Sequence, residues 1–292
     1  MTHPSQPNST EYDTGVRYAG GVRQPRWLFV FLIGLCLFCA GTTRADLLVK
    51  EAFDYPIGEI LDGQGGGMGF GDTWQHKYNG SADAKIVAGL TFSDYPVSGH
   101  AVQFHAETEI KSVSAIRRLD ANFGSAPQPI WMSYLFTYAV NPGDKPAYYS
   151  GVSTSNNEYP DDIRFGVAAL NGSNRFAVTY QTPSSSSGSK ETLPSTTYLL
   201  IGKFVGGEGA TMWALTEKDY DAIKAGGITE EKLNATNSGV ATSKSVEEQA
   251  DSLQEFLGMG ASTFGDSSTL EVSIDELKLG SSLNDVTTSA HP

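Results

Sequence analysis

The stretch Ile130–Val140, which reads IWMSYLFTYAV, carries apolar side chains on both of its alternating faces. One set holds Ile130, Met132, Tyr134, Phe136 and Tyr138, and the other holds Trp131, Leu135 and Ala139. Alternate residues of a strand point to opposite faces of a sheet, so this pattern is typical of a strand that is buried on both sides. We therefore predict a central β-strand here, in a sheet that is covered on both faces.

Shorter segments of strand-forming residues lie on both sides of this stretch and are separated by turn residues. The predicted strands are 47–53, 85–92, 100–105, 112–119, 162–169, 175–181, 197–205, 211–215 and 269–279. The 32 glycines and 13 prolines suit many tight turns between short strands. Pattern and composition together predict an all-β protein, built as a two-sheet antiparallel sandwich.

One segment, 216–256, breaks the strand pattern. Thr216 and Asp219 have the spacing of a helix capping box, and Gly226 and Gly227 are suited to end the helix that begins there. A second short helix is predicted from Thr229. Because the segment carries acidic clusters and few large apolar residues, we expect a helical surface excursion rather than a second domain.

The first 45 residues have the order of a signal peptide. Basic residues precede the apolar run Trp27–Ala40, and small residues up to Ala45 offer a cleavage site. We predict a signal peptide over 1–45 and a single domain over 46–292, with an uncleaved signal anchor as the alternative for the first segment. No later stretch of the sequence is long and apolar enough to cross a bilayer. The expected protein is secreted, either extracellular or periplasmic.

Charge and cysteine content limit the classes of partner. The chain has 33 acidic and 20 basic residues, a net charge of -13, and removal of residues 1–45 makes the net charge -15. No basic patch is available to neutralise a phosphate backbone, which argues against nucleic acid as a partner. Both cysteines, Cys36 and Cys39, lie in the apolar run, so the predicted mature domain has no disulfide and no cysteine-based metal site.

Several pieces of the mature sequence occur in an order known from one group of proteins. EAFDYPIG at 51–58 is followed by LDGQGGG at 61–67, Trp74, SAIRRL at 114–119, TYLLIGKF at 197–204 and IDELKLGSSLNDV at 274–286. In this order they resemble exported bacterial proteins with a concanavalin A-like, laminin-G-like jelly roll, of the type that often ends in a PEP-CTERM sorting tail. The resemblance implies a secreted two-sheet jelly roll whose first and last strands pair, and it says little about activity.

The C-terminus departs from that group. Residues 287–292 hold no proline-glutamate-proline motif, apolar helix or basic tail. This favours a released or periplasmic protein over one that is sorted to a membrane.

Jelly rolls of this type include glycoside hydrolases, which need two carboxyl groups about 5 to 5.5 Å apart when they retain configuration. The nearest sequence is EVSIDE, ending at Glu276, and Ser273 stands where a middle carboxylate is needed. Asp275 and Glu276 point to opposite faces by alternation. We predict no catalytic residues here, and expect these two carboxylates to fix a turn at a polar strand edge or to pair with Arg117 or Arg118.

His105, Glu107 and Glu109 also alternate, so an extended backbone places them on one face. A metal site or an acid–base pair formed by these side chains is one interpretation. The other is an ordinary solvated strand face.

The predicted loop before the strand at 162–169 is rich in oxygen ligands. Asp161 and Asp162 follow two asparagines and a glutamate, and such groups suit calcium. We predict no cofactor and interpret these aspartates as a solvated acidic turn, with calcium bound to Asp161 and Asp162 as the alternative. Tyr148, Tyr149 and Tyr159 flank the same region, and their rings are candidates for stacking on sugars.

The sequence and the resemblance favour a non-catalytic secreted sandwich that binds a carbohydrate or another cell-surface polymer. This function rests on the fold and on loop residues rather than on a recognised motif. Two alternatives stay open: a glycan hydrolase or lyase with an unrecognised site, and a structural surface or matrix protein without a small ligand.

Overall fold

The structure, a computed structural model, describes twelve segments of the chain. They are 47–78, 84–107, 112–123, 129–140, 147–155, 163–170, 173–180, 191–205, 209–236, 239–243, 254–263 and 269–288. All of them belong to one compact unit, Ala45–Pro292. The predicted signal peptide falls outside the described residues and stays a prediction.

Within the described residues the chain forms fourteen strands and three short helices. The strands are β1 (Leu47–Glu51), β2 (Gln75–Tyr78), β3 (Ala84–Val87), β4 (Ala101–Ala106), β5 (Ser112–Phe123), β6 (Ile130–Val140), β7 (Ala147–Ser155), β8 (Ile163–Leu170), β9 (Ser173–Tyr180), β10 (Tyr198–Val205), β11 (Gly209–Leu215), β12 (Gly239–Ser243), β13 (Gln254–Thr263) and β14 (Leu270–Gly280). The helices are α1 (Glu217–Ile223), α2 (Glu230–Ala235) and α3 (Leu283–Thr287). None of the helices in these segments is long and apolar enough to span a membrane.

Two antiparallel sheets contain these strands. The first sheet has the order β12-β11-β10-β6-β14-β4-β3, and the second has the order β2-β5-β13-β7-β8-β9. One side of β14 pairs with β6, while its other side pairs first with β4 and then with β1. The predicted all-β, two-sheet antiparallel sandwich is confirmed, and so is the pairing of the first and last strands.

β6 is buried on both faces, as its sequence predicts. Met132, Tyr134 and Phe136 pack in the main core, which also contains residues of the second sheet. Trp131 and Leu135, on the opposite face, belong to a second core. β6 lies inside the first sheet between β10 and β14, which explains why neither of its faces can be polar.

The second core lies on the outer face of the first sheet and is covered by the helices and by the chain near Phe92. Tyr220 of α1, Leu233 of α2 and Val286 of α3 pack there. Thr216 and Asp219 form the predicted capping box at the start of α1. The helical excursion is thus confirmed, and it covers apolar surface that the sheet would otherwise expose.

The excursion is shorter than the predicted 216–256. After α2 the chain returns to the first sheet as its edge strand β12, and β13 begins at Gln254 in the second sheet. The sequence pattern did not predict β2 or β7 either. Small residues dominate β12 and β13, so the apolar alternation that marks a strand is weak there.

Candidate functional site

The residues predicted to bind sugar and calcium lie where the structure describes little or nothing. Tyr148 and Tyr149 belong to β7, whose backbone is described there while their side chains are not. Tyr159, Asp161 and Asp162 fall outside the described residues. Both sites therefore stay predictions.

His105 lies between two carboxylates on the outer face of the first sheet. Its Nε2 is 3.6 Å from Glu107 Oε2, and its Nδ1 is 3.4 Å from Glu271 Oε1. The three side chains are about a third to a half exposed, and Glu109 falls outside the described residues. The segments that the structure describes contain no group of three or more His, Cys, Asp or Glu side chains arranged to hold a metal ion. The arrangement is that of an exposed ion-pair chain, which forms when His105 is protonated.

The carboxylates of β14 are buried rather than placed at a strand edge. Asp275 is 0% exposed and Glu276 is 1% exposed. The pairing register of β14 shifts between Asp275 and Lys278, at the point where its partner changes from β4 to β1. Glu276 adopts a left-handed backbone with φ of 49°. This bulge turns both carboxylates towards the segment 90–98.

The predicted pairing of these carboxylates with Arg117 or Arg118 is wrong. Asp275 accepts hydrogen bonds from the backbone N–H of Leu90 and of Glu276, at 2.8 and 2.7 Å. Glu276 lies 3.6 Å from the ammonium of Lys278. Arg117 points into the sandwich from β5, on the other sheet, and therefore meets a different carboxylate.

That carboxylate is Glu51, at the end of β1, and four donors surround it. Its Oε2 accepts from Arg117 Nη1 at 2.9 Å, from Trp74 Nε1 at 3.1 Å and from the Tyr55 hydroxyl at 3.0 Å. Its Oε1 accepts from the backbone N–H of Phe53 at 3.0 Å. A buried charge is tolerated when it is paired and hydrogen-bonded in this way.

The environment of Glu51 keeps the Tyr55 hydroxyl protonated. Burial, together with the negative charge of Glu51, raises the pKa of Tyr55. The hydroxyl therefore remains a hydrogen-bond donor over the physiological pH range, and the network around Glu51 stays intact. These contacts hold the end of β1 rigidly to β5 and to Trp74.

The glycine-rich loop Gly63–Gly71 lies directly against β1. Lys50 and Met68 exchange two backbone hydrogen bonds, of 3.1 and 2.8 Å. Gly67 has φ of 65°, and a Cβ atom at this position would lie 2.6 Å from the carbonyl oxygen of Lys50. Glycine is required at this point because a side chain fits neither the backbone conformation nor the space.

An open cleft of about 370 Å³ lies between this loop and β1, and we refer to it as the β1 cleft. Its lining combines apolar, charged and backbone groups from Lys50, Glu51, Ala52, Asp54, Tyr55, Gly65, Gly66, Gly67 and Met68. Lys50 has no ion pair with the described residues, and Asp54 is exposed. A cleft of this size with a few charged groups beside apolar surface is typical of small-molecule sites.

The sequence contains a signal for the Glu51 network that our reading missed. Glu51 alternates with Val49 and Phe53, both inward-facing, and Arg117 alternates with Val113, Ala115 and Leu119. An acid and a base at inward positions of two strands indicate a buried pair. The cleft itself depends on how the loop folds back onto β1, which alternation does not predict.

Comparisons with known proteins give only structural similarity. No protein-family model matches the chain, and no curated protein matches it significantly. The chain resembles a protein of unknown function from Shewanella oneidensis, with 13% identity, coverage of 94% of this chain and 100% of that one, and a TM-score of 0.47. It also resembles the T. cruzi calreticulin globular domain, with 7% identity, coverage of 83% and 90%, and a TM-score of 0.46. A marine alginate lyase from Zobellia galactanivorans has 13% identity, coverage of 66% and 85%, and a TM-score of 0.38.

Because these identities and TM-scores are low, we assign the class of this protein from its own two sheets. Both sheets are antiparallel, and their facing sides share the main core. The chain is therefore a two-sheet antiparallel β-sandwich.

Proposed function

We propose that this protein is a non-catalytic β-sandwich that binds a carbohydrate or another cell-surface polymer, and that the β1 cleft holds a unit of that polymer. The observation that carries the proposal is the cleft itself. It places the exposed carboxylate of Asp54 and the half-buried Lys50 beside apolar surface, over a floor that is already fixed by the Glu51 network.

The chemistry of the cleft suits a sugar. A sugar ring has apolar faces and a rim of hydroxyl groups, so it needs apolar contact and hydrogen-bonding groups at the same place. Tyr55 and Met68 supply the apolar contact. Asp54 supplies a hydrogen-bond acceptor and Lys50 supplies a donor. The fixed floor lowers the ordering cost of binding.

The charge of the chain favours an uncharged polymer. With a net charge of -13, the protein repels polyanions at long range, whereas neutral glycans are not affected. We therefore propose a neutral polysaccharide rather than an acidic one as the ligand.

Three expectations from the sequence belong to the same proposal. They are export of the protein as a member of the PEP-CTERM-associated type, sugar stacking by Tyr148, Tyr149 and Tyr159, and calcium at Asp161 and Asp162. The first gives the protein access to cell-surface polymers, and the other two would extend the binding surface beyond the β1 cleft.

Binding of the full-length protein to a panel of neutral and acidic polysaccharides, with and without calcium, tests the proposal. We expect at least one neutral glycan to bind, and Asp54→Ala to weaken that binding about tenfold because a hydroxyl partner is lost. Glu59→Ala is the matched control, since Glu59 is an exposed acid of the same segment that does not line the cleft.

Each outcome has a separate meaning. If no glycan binds with or without calcium, the carbohydrate function is wrong. If a glycan binds wild type and Asp54→Ala equally well, the function stands and the β1 cleft is not the site.

A further inference from the structure

A second cleft, of about 180 Å³, lies on the outer side of β1 next to the bulge of β14. The charged residues that line it are Lys50, Glu276, Lys278 and Asp285. Lys50 and Lys278 are direct partners in the pairing of β1 with β14, so their side chains share one face. We call this the bulge cleft.

Two of the four charged residues, Glu276 and Lys278, form an ion pair with each other. Glu276 Oε2 lies 3.6 Å from the ammonium of Lys278, and Glu276 Oε1 accepts a hydrogen bond from the Ser98 hydroxyl at 2.6 Å. Lys278 also donates to the hydroxyl of Tyr95 at 3.3 Å. The left-handed backbone of Glu276 holds this pair in place, and strain of that kind is concentrated at functional sites.

The other two charges, Asp285 and Lys50, form no ion pair with the residues that the structure describes. Asp285 is 3% exposed, and its Oδ2 accepts from the backbone N–H of Ser282 at 2.8 Å. Its Oδ1 is buried and has no hydrogen-bond partner in the part of the chain that the structure describes. Lys50 forms no ion pair with the described residues either. A buried acceptor without a donor is costly, so these groups are suited to an incoming ligand.

We propose that the bulge cleft binds a small free α-amino acid. Its ammonium donates to Asp285 Oδ1, and its carboxylate lies beside the ammonium groups of Lys50 and Lys278. The four protein charges sum to zero, which matches a zwitterion of zero net charge. A volume of about 180 Å³ is sufficient for glycine or alanine. This inference does not depend on the proposed glycan binding.

Titration calorimetry of the full-length protein with glycine and L-alanine tests the inference. Three further probes separate the two halves of the zwitterion: glycine betaine has no N–H donor, L-lactate has a hydroxyl in place of the ammonium, and ethylamine has no carboxylate. We expect glycine and alanine to bind, and each of the three other probes to bind at least about tenfold more weakly, because charge-assisted hydrogen bonds are lost.

Variants locate the site. Asp285→Asn can still accept the hydrogen bond from Ser282 but replaces the free acceptor with a donor, so we expect it to weaken alanine binding about tenfold or more. Lys50→Met should weaken it as well, while Lys85→Met, at an exposed position on β3, should leave it unchanged.

Several results would overturn the proposed amino-acid site. Absence of glycine and alanine binding at millimolar concentration overturns the proposal, and so does betaine or lactate binding as tightly as alanine. Unchanged alanine affinity in both Asp285→Asn and Lys50→Met would show that the amino acid binds elsewhere. Because Lys50 lines both clefts, Asp285→Asn is the variant that separates this site from the glycan site, and it should leave polysaccharide binding intact.

Discussion

The carboxyl group of Asp275, in β14, has a raised pKa. Burial raises its pKa to about 7, the charge of Glu276 adds to this, and two backbone hydrogen bonds and Lys278 oppose it. The ordinary pKa of the group is 3.8, so the folded protein keeps the proton at a pH where the unfolded chain has lost it. Ionisation of this side chain therefore opposes folding.

This predicts a pH dependence of stability that Asp275→Asn removes. The protonated side chain of Asp275 contributes stability that is fully present below pH 3.8. This contribution is lost as the pH rises towards 7, and the free energy of unfolding falls by at most about 1.4 kcal/mol per pH unit. Urea unfolding at a series of pH values measures the free energy of unfolding of both proteins. The difference, variant minus wild type, should increase between pH 3.8 and 7 and stay constant above pH 7. Glu276 and Lys278 are present in both proteins, so the difference reports Asp275 together with its electrostatic coupling to these two groups. A difference that does not change with pH would show that Asp275 does not titrate there.

The sequence predicts the face that a side chain takes more reliably than it predicts the partner of that side chain. Alternation places Met132 and Trp131 on opposite faces of β6, and they lie in the main core and in the second core respectively. The partner of Arg117 was predicted in the wrong strand, because alternation indicates which face a side chain takes but not which strand lies opposite. Asp285 shows nothing unusual in the sequence, since its free oxygen results from the packing of α3 against β14.

At the scale of elements, β13 shows why a central strand can escape detection. It lies between β5 and β7 in the second sheet, yet Gly258 and Gly260 occupy alternate positions on one of its faces. Gly260 pairs with Ser114 on one side and with Gly151 on the other. Strand propensity reflects side-chain packing, so a strand with glycines on one face gives a weak signal.

We predict that Gly260→Ala destabilises the protein by about 1–3 kcal/mol, because backbone has to move to accept the methyl group. A Cβ atom there would lie 2.5 Å from the carbonyl oxygen of Val113 and 2.9 Å from the Cβ of Ser114. Gly65→Ala is the matched control, since its new Cβ atom would meet only the methyl group of Thr73, at 3.1 Å. Chemical unfolding of both variants provides the comparison, and equal stabilities would contradict the packing of β13 against β5.

For the whole molecule, the acidic balance bears on the predicted calcium site. At a net charge of -13 the chain repels itself, and a divalent cation at Asp161 and Asp162 would reduce that repulsion locally. Calcium at 100 times its dissociation constant should stabilise the folded state by about 2.7 kcal/mol, which corresponds to a rise in melting temperature of about 5 °C or more.

Thermal unfolding with millimolar calcium or with a chelator tests this site. We expect the rise in wild type and its loss in the double variant Asp161→Ala/Asp162→Ala. An unchanged melting temperature in wild type means that there is no site, and an equal rise in both proteins places the ion elsewhere.

The general architecture was predictable because it follows from local patterns, whereas the clefts were not. The two-sided apolar pattern of β6, the capping box of α1 and the many turns lead to a sandwich with a helical excursion. The bulge cleft, in contrast, joins Lys50 with Glu276 and Asp285, which lie more than 200 positions later in the chain. Nothing in the spacing of residues indicates that β14 bulges where its partner changes from β4 to β1.

Amide hydrogen exchange of the full-length protein, with and without its tightest-binding glycan, shows whether the glycan lies in the β1 cleft. If the glycan lies in the β1 cleft, exchange should slow in 47–51 and 63–71 and stay unchanged in β12, the edge strand that lies four places from β14 in the first sheet. Protection confined to 147–162, with no change at 63–71, would exclude the β1 cleft as the site and place the glycan at the tyrosines of that region instead.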